Sequence, residues 1–416
     1  MMTSYKPLAF AICIATSSSA IAAEFVFVKE EVLKNNRVLL HSENAPATMT
    51  QSYERLLEEA KYATKAGRFS VTDKGMTPPS GNKNDYLSIS PYWWPDKNKA
   101  DGLPWNRIDG KVNPASKTSE TDSKRLGKFT RSVRALAIAY YFSQDEQYAE
   151  TAIDYIRTWF LNPETRMNPN MNYAQGVPGR AEGRRGGIID SRSFADRMLD
   201  AIAMVSQSPA WTEADENGIK QWYGEYLDWL LTSELGGGPK GEAYAENNHG
   251  SWYDLQIAGI SYFLGKESIA MNAVEKGKMR IDSQFRADGT QPHELARTRS
   301  YHYSYFNLDA LSGVAQVGEK IGIDLWNYES PKGGSLKKGI ELLAQYQDKA
   351  EDWPYPHKKT PRVMRMMPIY RKAALGMSDQ TLLALSKSGD FSQFTVKKNL
   401  AEIWAERDIE LLYRKQ

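Results

Sequence analysis

Two short runs hold the residues best suited to chemistry. The first is Glu246-Asn247-Asn248-His249-Gly250-Ser251-Trp252-Tyr253, at the start of an expected helix. The second spans residues 288–305 and gathers Glu294, Arg297, Arg299, Tyr301, His302, Tyr303 and Tyr305. An amide, a guanidinium, an imidazole and a phenol suffice to take a proton from carbon beside a carboxylate. Amide and guanidinium neutralise the carboxylate, so that enolate-like charge can develop. Imidazole or phenol removes the proton, and a phenol can return one to a leaving oxygen. For a sugar acid this is β-elimination at C5 and O4, and it requires no carboxylate pair. A purely structural account also fits each run. Asn247 or Asn248 would cap the helix and His249 would be a satisfied polar residue. The second run would be a solvated helix start with ordinary core tyrosines.

Metal chemistry finds little support. The histidines are His41, His249, His293, His302 and His357, and no pair has the i, i+4 spacing of a helical zinc site. No metal and no cofactor is expected. The one cysteine, Cys13, lies in residues 1–23, which read as a secretory signal: Lys6, an apolar stretch, then small residues ending at Ala22-Ala23. The remaining chain, 24–416, then has neither disulfide nor thiolate, and an exported protein is expected, periplasmic or secreted. A retained N-terminal anchor is the alternative. The apolar core is far shorter than a bilayer-spanning helix.

Most of the chain beyond that signal reads helical. Apolar residues recur at helical spacing over residues 53–66, 129–142, 148–161, 195–206, 219–231, 252–263, 269–284, 303–321, 336–346, 365–385 and 394–412. Consecutive amphipathic helices with short connections imply antiparallel neighbours, hence an all-α bundle or an (α/α) ring. No strands at regular short spacing suggest a β-sandwich. Residues 81–114 and 161–190 interrupt the helices with Pro, Gly, Asn and aromatics, and such long loops are usually functional. The binding surface is expected there. The 53 basic and 51 acidic residues nearly balance at +2, unlike a nucleic-acid binder working by bulk charge. A polyanionic partner would need a local basic cluster.

Longer motifs add a family resemblance. Pro78-Pro79-Ser80-Gly81, Asp85-Tyr86-Leu87-Ser88, Pro91-Tyr92-Trp93-Trp94-Pro95-Asp96, Asp101-Gly102-Leu103-Pro104, Asn172-Tyr173-Ala174-Gln175, Gly183-Arg184, Gly187-Ile188-Ile189-Asp190 and Asn247-Asn248-His249 stand in order. Over about residues 53–328 the chain resembles the alginate-lyase-like superfamily, and within it polysaccharide lyase family 38, which acts on glucuronan or alginate. The resemblance implies one (α/α) toroid domain of about seven helical hairpins over 24–416 and an acidic polysaccharide as partner, with no protein partner. It also implies a catalytic set of Asn248, His249, Arg297 and Tyr303, the last reached with a one-residue gap that leaves Tyr301 and Tyr305 as rivals. Asn248 and Arg297 would neutralise the C5 carboxylate. Tyr303 would be acid, and also base where the proton and O4 leave from one side; His249 would be base for the opposite stereochemistry. A basic Tyr303 needs a lowered pKa, which Arg297, Arg299 or His302 could supply. Substrate contacts would come from Tyr92, Trp93, Trp94, Asn172, Tyr173, Gln175, Arg184, Trp252, Arg299, Tyr301 and His302. Trp93 and Trp94 could equally be packing residues.

Two other functions fit parts of the pattern. A glycoside hydrolase needs two carboxylates flanking the bond, and Asp96, Asp190, Asp254 and Glu294 are available but unpaired by the sequence. A non-catalytic glycan-binding protein would keep the aromatic loops without needing the Asn-His, Arg and Tyr set.

Overall fold

Helices form where the apolar spacing requires them, and their ends are set by identifiable caps. A computed structural model describes residues 24–414; the expected signal at 1–23 lies outside the described residues. Ser123–Ser143 turns back through Gln144, in the left-handed conformation (φ 59°), into Glu146–Ile156, which Asp145 caps at the Gln147 amide. Glu213–Thr232 starts on a reciprocal Thr212/Asp215 capping box. Asn248–Phe263 and Glu267–Gln284 form a further antiparallel pair, with Ser300–Lys320 packed on both. Met367–Met377 and Leu400–Arg407 follow. Aromatic contacts weld neighbouring helices: Phe129 stacks on Trp159 at 4.6 Å, and Phe160 meets Trp222 at 4.5 Å.

The first and last described helices meet. Asn36, on the helix Glu30–Leu40, donates to the Leu411 carbonyl at 2.9 Å, and Thr48 donates to Glu410 at 2.9 Å. The Glu59 carboxylate accepts from Trp404 (2.9 Å) and Arg407 (3.2 Å). Asp200, on Met198–Val205, accepts the backbone amides of Val26 (2.7 Å), Phe27 and Val28. This seats the buried segment Phe25 to Val28 against the inner helices.

The two long loops are not structureless. Leu87–Ile89 pairs in parallel with Tyr173–Gly176, tying one loop to the other. Trp93–Trp94 pairs antiparallel with Asn106–Arg107, making a hairpin that projects Tyr92 and Trp93. A Lys74–Asp122 ion pair at 2.9 Å, with both side chains fully buried, roots this region; Asp122 also accepts the Leu87 amide at 3.0 Å.

Most expected helices are present, with corrections at their ends. Residues 195–206 are not one helix but Ser193–Asp196 and Met198–Val205, broken at Arg197 (φ −120°). Residues 365–385 divide at Ser378 (φ 55°), because Asp379 caps a new turn by accepting the amides of Thr381 and Leu382. The helix expected from residue 394 begins at Leu400. Glu30–Leu40 and the short strands were not anticipated.

Candidate functional site

The inner helices and both loops enclose a cavity of about 740 Å³. Asn248, His249, Arg297 and Tyr303 all line it, as do Tyr92, Trp93, Gln175, Arg184, Trp252 and His302. Side chains from both runs, Asn247 to Trp252 and Arg297 to Tyr303, therefore meet in one space with the loop hairpin.

The start of Asn248–Phe263 is built to hold two side chains apart. Asn247 is the cap, accepting the His249 amide at 3.2 Å, so the capping account holds for that residue alone. Asn248 is one residue further in. Its backbone amide and its Nδ2 donate to the two oxygens of Glu294, at 2.6 and 2.7 Å. Glu294 is 1% exposed. Burial raises its carboxyl pKa, and the Asn248 hydrogen bonds work against that. The second Nδ2 hydrogen and the Oδ1 of Asn248, which has no hydrogen-bond partner among the described residues, are left uncommitted. His249 turns the other way and pairs through Nδ1 with buried Glu242, which also holds Arg185 at 3.0 Å. An Nδ1–H donated to a carboxylate leaves Nε2 as the free basic nitrogen. Gly186 lets the loop close on this ring: a Cβ there would lie 3.3 Å from His249 Cε1.

Arg297 and Tyr303 form the opposite element. Arg297 Nη2 donates to the Tyr303 hydroxyl at 2.8 Å, and the guanidinium lies over the Tyr303 ring at 3.8 Å. The Tyr303 hydroxyl is also 2.8 Å from that of Tyr92. Asp109, from the hairpin loop, takes Arg297 Nη2 at 2.8 Å and Thr298 Oγ1 at 3.0 Å. Burial would raise the Asp109 carboxyl, but Arg297 and Thr298 hold it well below the usual carboxylate range. Tyr303 departs from expectation. Burial, helped by Tyr92, pushes its phenol above the ordinary value, and Arg297 pulls the other way without prevailing. In this state Tyr303 is a protonated phenol.

His302 does not help to lower it. Burial first, then the charges of Arg299, Arg365, Arg192 and Arg297, drive its pKa down to about 3, so it is neutral. The unfolded chain takes a proton below about pH 6.5 and the folded chain refuses it until about 3. Stability is therefore unaffected above that window and falls as pH drops through it. His302→Phe, which keeps the stacking on Phe306, is expected to flatten the dependence of Tm on pH between 7 and 4; an unchanged slope would exclude His302 as its source.

At the loop end, Gln175 sits at positive φ (49°), donates to Asp190 at 2.8 Å and accepts from Arg184 at 3.2 Å. Arg180 and Arg184 lie 5.4 and 5.9 Å from the Trp93 ring centroid. Trp252 is 1% exposed and presents little face to a sugar; Arg192 sits 5.6 Å from its ring centroid. Several expected contacts are elsewhere. Trp94 points away, donating to the Lys111 carbonyl at 3.0 Å under the Lys111 ammonium. Asn172 accepts from Trp229 at 3.0 Å, and neither it nor Tyr173 lines the cavity. Arg299 and Tyr301 line a second, smaller cavity instead. Helical rotation explains this: one position along Ser300–Lys320 turns a side chain by about 100°, and Tyr301 is thereby buried on the far side.

The carboxylates that could serve a hydrolase are occupied. Glu294 is held by Asn248, Asp254 pairs with Arg280 at 2.7 Å, and Asp190 accepts from Tyr86, Ser88 and Gln175. Asp96 caps its own turn at Asn98. Sequence reasoning missed Asp109, Glu242 and Arg185, and gave Glu294 no supporting role. No spacing rule links them to their partners. Among the described residues no group of three or more His, Cys, Asp or Glu side chains forms a metal-ligating cluster.

Comparison with known proteins identifies the family and the fold. The alginate lyase family matches residues 70–353. The crystal structure of an alginate lyase from Bacteroides ovatus is 33% identical, covering 95% of this chain and 100% of that one, with a TM-score of 0.85. Alginate lyase A1-III from Sphingomonas species A1 is 14% identical over 94% of this chain and 96% of that one, at a TM-score of 0.60. A variant of alginate lyase A1-III complexed with a tetrasaccharide is 16% identical, with the same coverage and TM-score. These last two share the fold, an (α/α) toroid. No curated protein matches. With more than half its length matched, and with one relative a third identical end to end, the chain belongs to the alginate lyase family and is a carbon–oxygen lyase.

Proposed function

We propose that this enzyme cleaves 1,4-linked polyuronates by β-elimination, with alginate or glucuronan, the substrates of polysaccharide lyase family 38, as the polymer. The B. ovatus relative is itself an alginate lyase, and an A1-III variant was crystallised with a tetrasaccharide. The observation carrying the reading is the Arg297 guanidinium, 2.8 Å from the Tyr303 hydroxyl in the cavity that Asn248 and His249 also line. Arg297 and the free N–H of Asn248 take the C5 carboxylate and stabilise charge as the C5–H bond breaks. His249 Nε2, backed by Glu242, accepts that proton. The C4–C5 double bond forms as the C4–O4 bond breaks, and Tyr303, protonated at rest, delivers a proton to O4.

A second reading keeps the same residues and makes Tyr303, once its phenol proton has passed to water, both base and acid, for substrates whose proton and O4 leave from one face. The Arg297 contact with the Tyr303 oxygen favours it, because it stabilises a phenolate once formed. Residues 1–23 are proposed to direct export, which would bring the enzyme to an extracellular or periplasmic polymer.

The test is a panel of mannuronate-rich, guluronate-rich and glucuronan chains, followed by near-ultraviolet absorbance of the unsaturated product. At least one chain should yield it. Chain shortening without absorbance would indicate hydrolysis and end the proposal. His249→Ala should suppress the guluronate-rich substrate most if the first reading holds; equal retention on all three assigns the base to Tyr303.

A further inference from the structure

Beside the central cavity lies a second one of about 250 Å³, sharing with it the wall formed by His302, Tyr305 and Arg365. Its charged lining is cationic throughout: Arg299, Lys359, Arg362 and Arg365, with His357 between them. No Asp or Glu lines it. The nearby Glu402 serves two guanidiniums at once, Arg365 at 3.1 Å and Arg362 at 3.5 Å. Among the described residues Arg299 has no carboxylate within salt-bridge reach.

The strap carrying these charges is fixed. Ser300 Oγ donates to the Pro356 carbonyl at 2.6 Å and accepts from Trp353 Nε1 at 2.8 Å. The Lys358 amide donates to the Thr298 carbonyl at 2.9 Å, and Arg299 bridges His357 in antiparallel fashion. Like charges pinned at short range repel, and a bound anion relieves that repulsion. Guanidiniums suit a carboxylate, which they can grip with two parallel hydrogen bonds.

We propose that the second cavity is a distal subsite, binding the carboxylate of a sugar in the same polyuronate chain, remote from the bond being cut. This rests on the function proposed above. His302 lines both cavities, and Tyr303, next to it on the same helix, lines the central one, so the second cavity begins one residue from the proposed cleavage position.

The test uses the full chain with Lys359→Ala and Arg362→Ala combined, both residues being exposed, while Glu402 keeps its Arg365 partner at 3.1 Å and an unchanged Tm checks the fold. KM for a long polyuronate should rise about fivefold or more, with kcat within about twofold, as expected for losing charge contacts remote from the reaction. KM for the shortest cleavable oligomer should stay at the parent value. In a Tyr303→Phe background the dissociation constant for the long chain should weaken by the same factor. Unchanged polymer KM and affinity, in a parent that is active, overturn the subsite and leave the lyase reading intact. Inorganic phosphate raising the Tm of the parent but not of the variant, with polymer KM unchanged, would mark a free-anion site and also overturn the proposal. A parent that cleaves no polyuronate overturns both readings.

Discussion

Tyr303→Phe is expected to lower kcat on a polyuronate by about 10²- to 10⁴-fold, the usual contribution of a positioned proton donor or acceptor. Only one oxygen is removed, so the ring keeps its place under the Arg297 guanidinium at 3.8 Å. The partners left without that oxygen are the Tyr92 hydroxyl and Arg297 Nη2, both on the cavity wall where water can replace it. Tm should therefore move little, and the affinity for substrate should be retained. That pairing of outcomes is informative. Activity within a few-fold of the parent would remove Tyr303 from the reaction and reopen Tyr301 and Tyr305. Tyr301 is a poor replacement, being buried away from the cavity, whereas Tyr305 does line it. Tyr92→Phe, measured alongside, should cost far less, since its hydroxyl reaches the reaction only through that of Tyr303.

Arg297→Ala should reduce kcat/KM by about 10²- to 10³-fold, the loss typical of removing one donor aimed at developing negative charge. Most of the loss should fall on kcat, because a guanidinium that binds the carboxylate more strongly as C5 becomes enolate-like acts chiefly in the transition state. Arg297→Lys keeps the charge and loses the fork, and should fall between the two. The Asp109 carboxylate complicates the ground state. It occupies the same Nη2 that the substrate needs, at 2.8 Å. Asp109→Asn retains the shape while withdrawing the competing charge. It separates a residue that holds Arg297 in place, whose loss lowers kcat, from one that merely occupies it, whose loss lowers KM. An Arg297→Ala enzyme with parental kcat/KM would leave the charge-neutralisation scheme without its main member.

Helical periodicity made the ring legible, because each inner helix must bury a wide apolar face and shows it at 3.6-residue spacing. The convergence of Asn248, His249, Arg297 and Tyr303 on one cavity was legible through family motifs and through residue chemistry. What the sequence hid is of two kinds. Local competition between caps, as at Ser378 and Asp379, breaks a helix whose apolar pattern runs on. Partnerships between distant side chains, such as Glu242 with His249 or Asp109 with Arg297, leave no periodic trace. The direction of the Tyr303 shift belongs with these, since proximity to arginine suggested acidity, while the degree of burial, known only from the fold, decided otherwise. Trp94 and Asn172 illustrate the same limit: they stand in strong motifs, yet their polar atoms serve Lys111 and Trp229.

Asn36 reaching Leu411, and Glu59 holding Trp404 and Arg407, mean that the ring is closed by its first and last described helices together. Residues 26–28 have Asp200 to settle on, whereas Asn36 gains its anchor only once Leu411 is in place. Joining segments 375 residues apart makes closure of the ring a long-range step of folding, and loss of either segment should loosen the other.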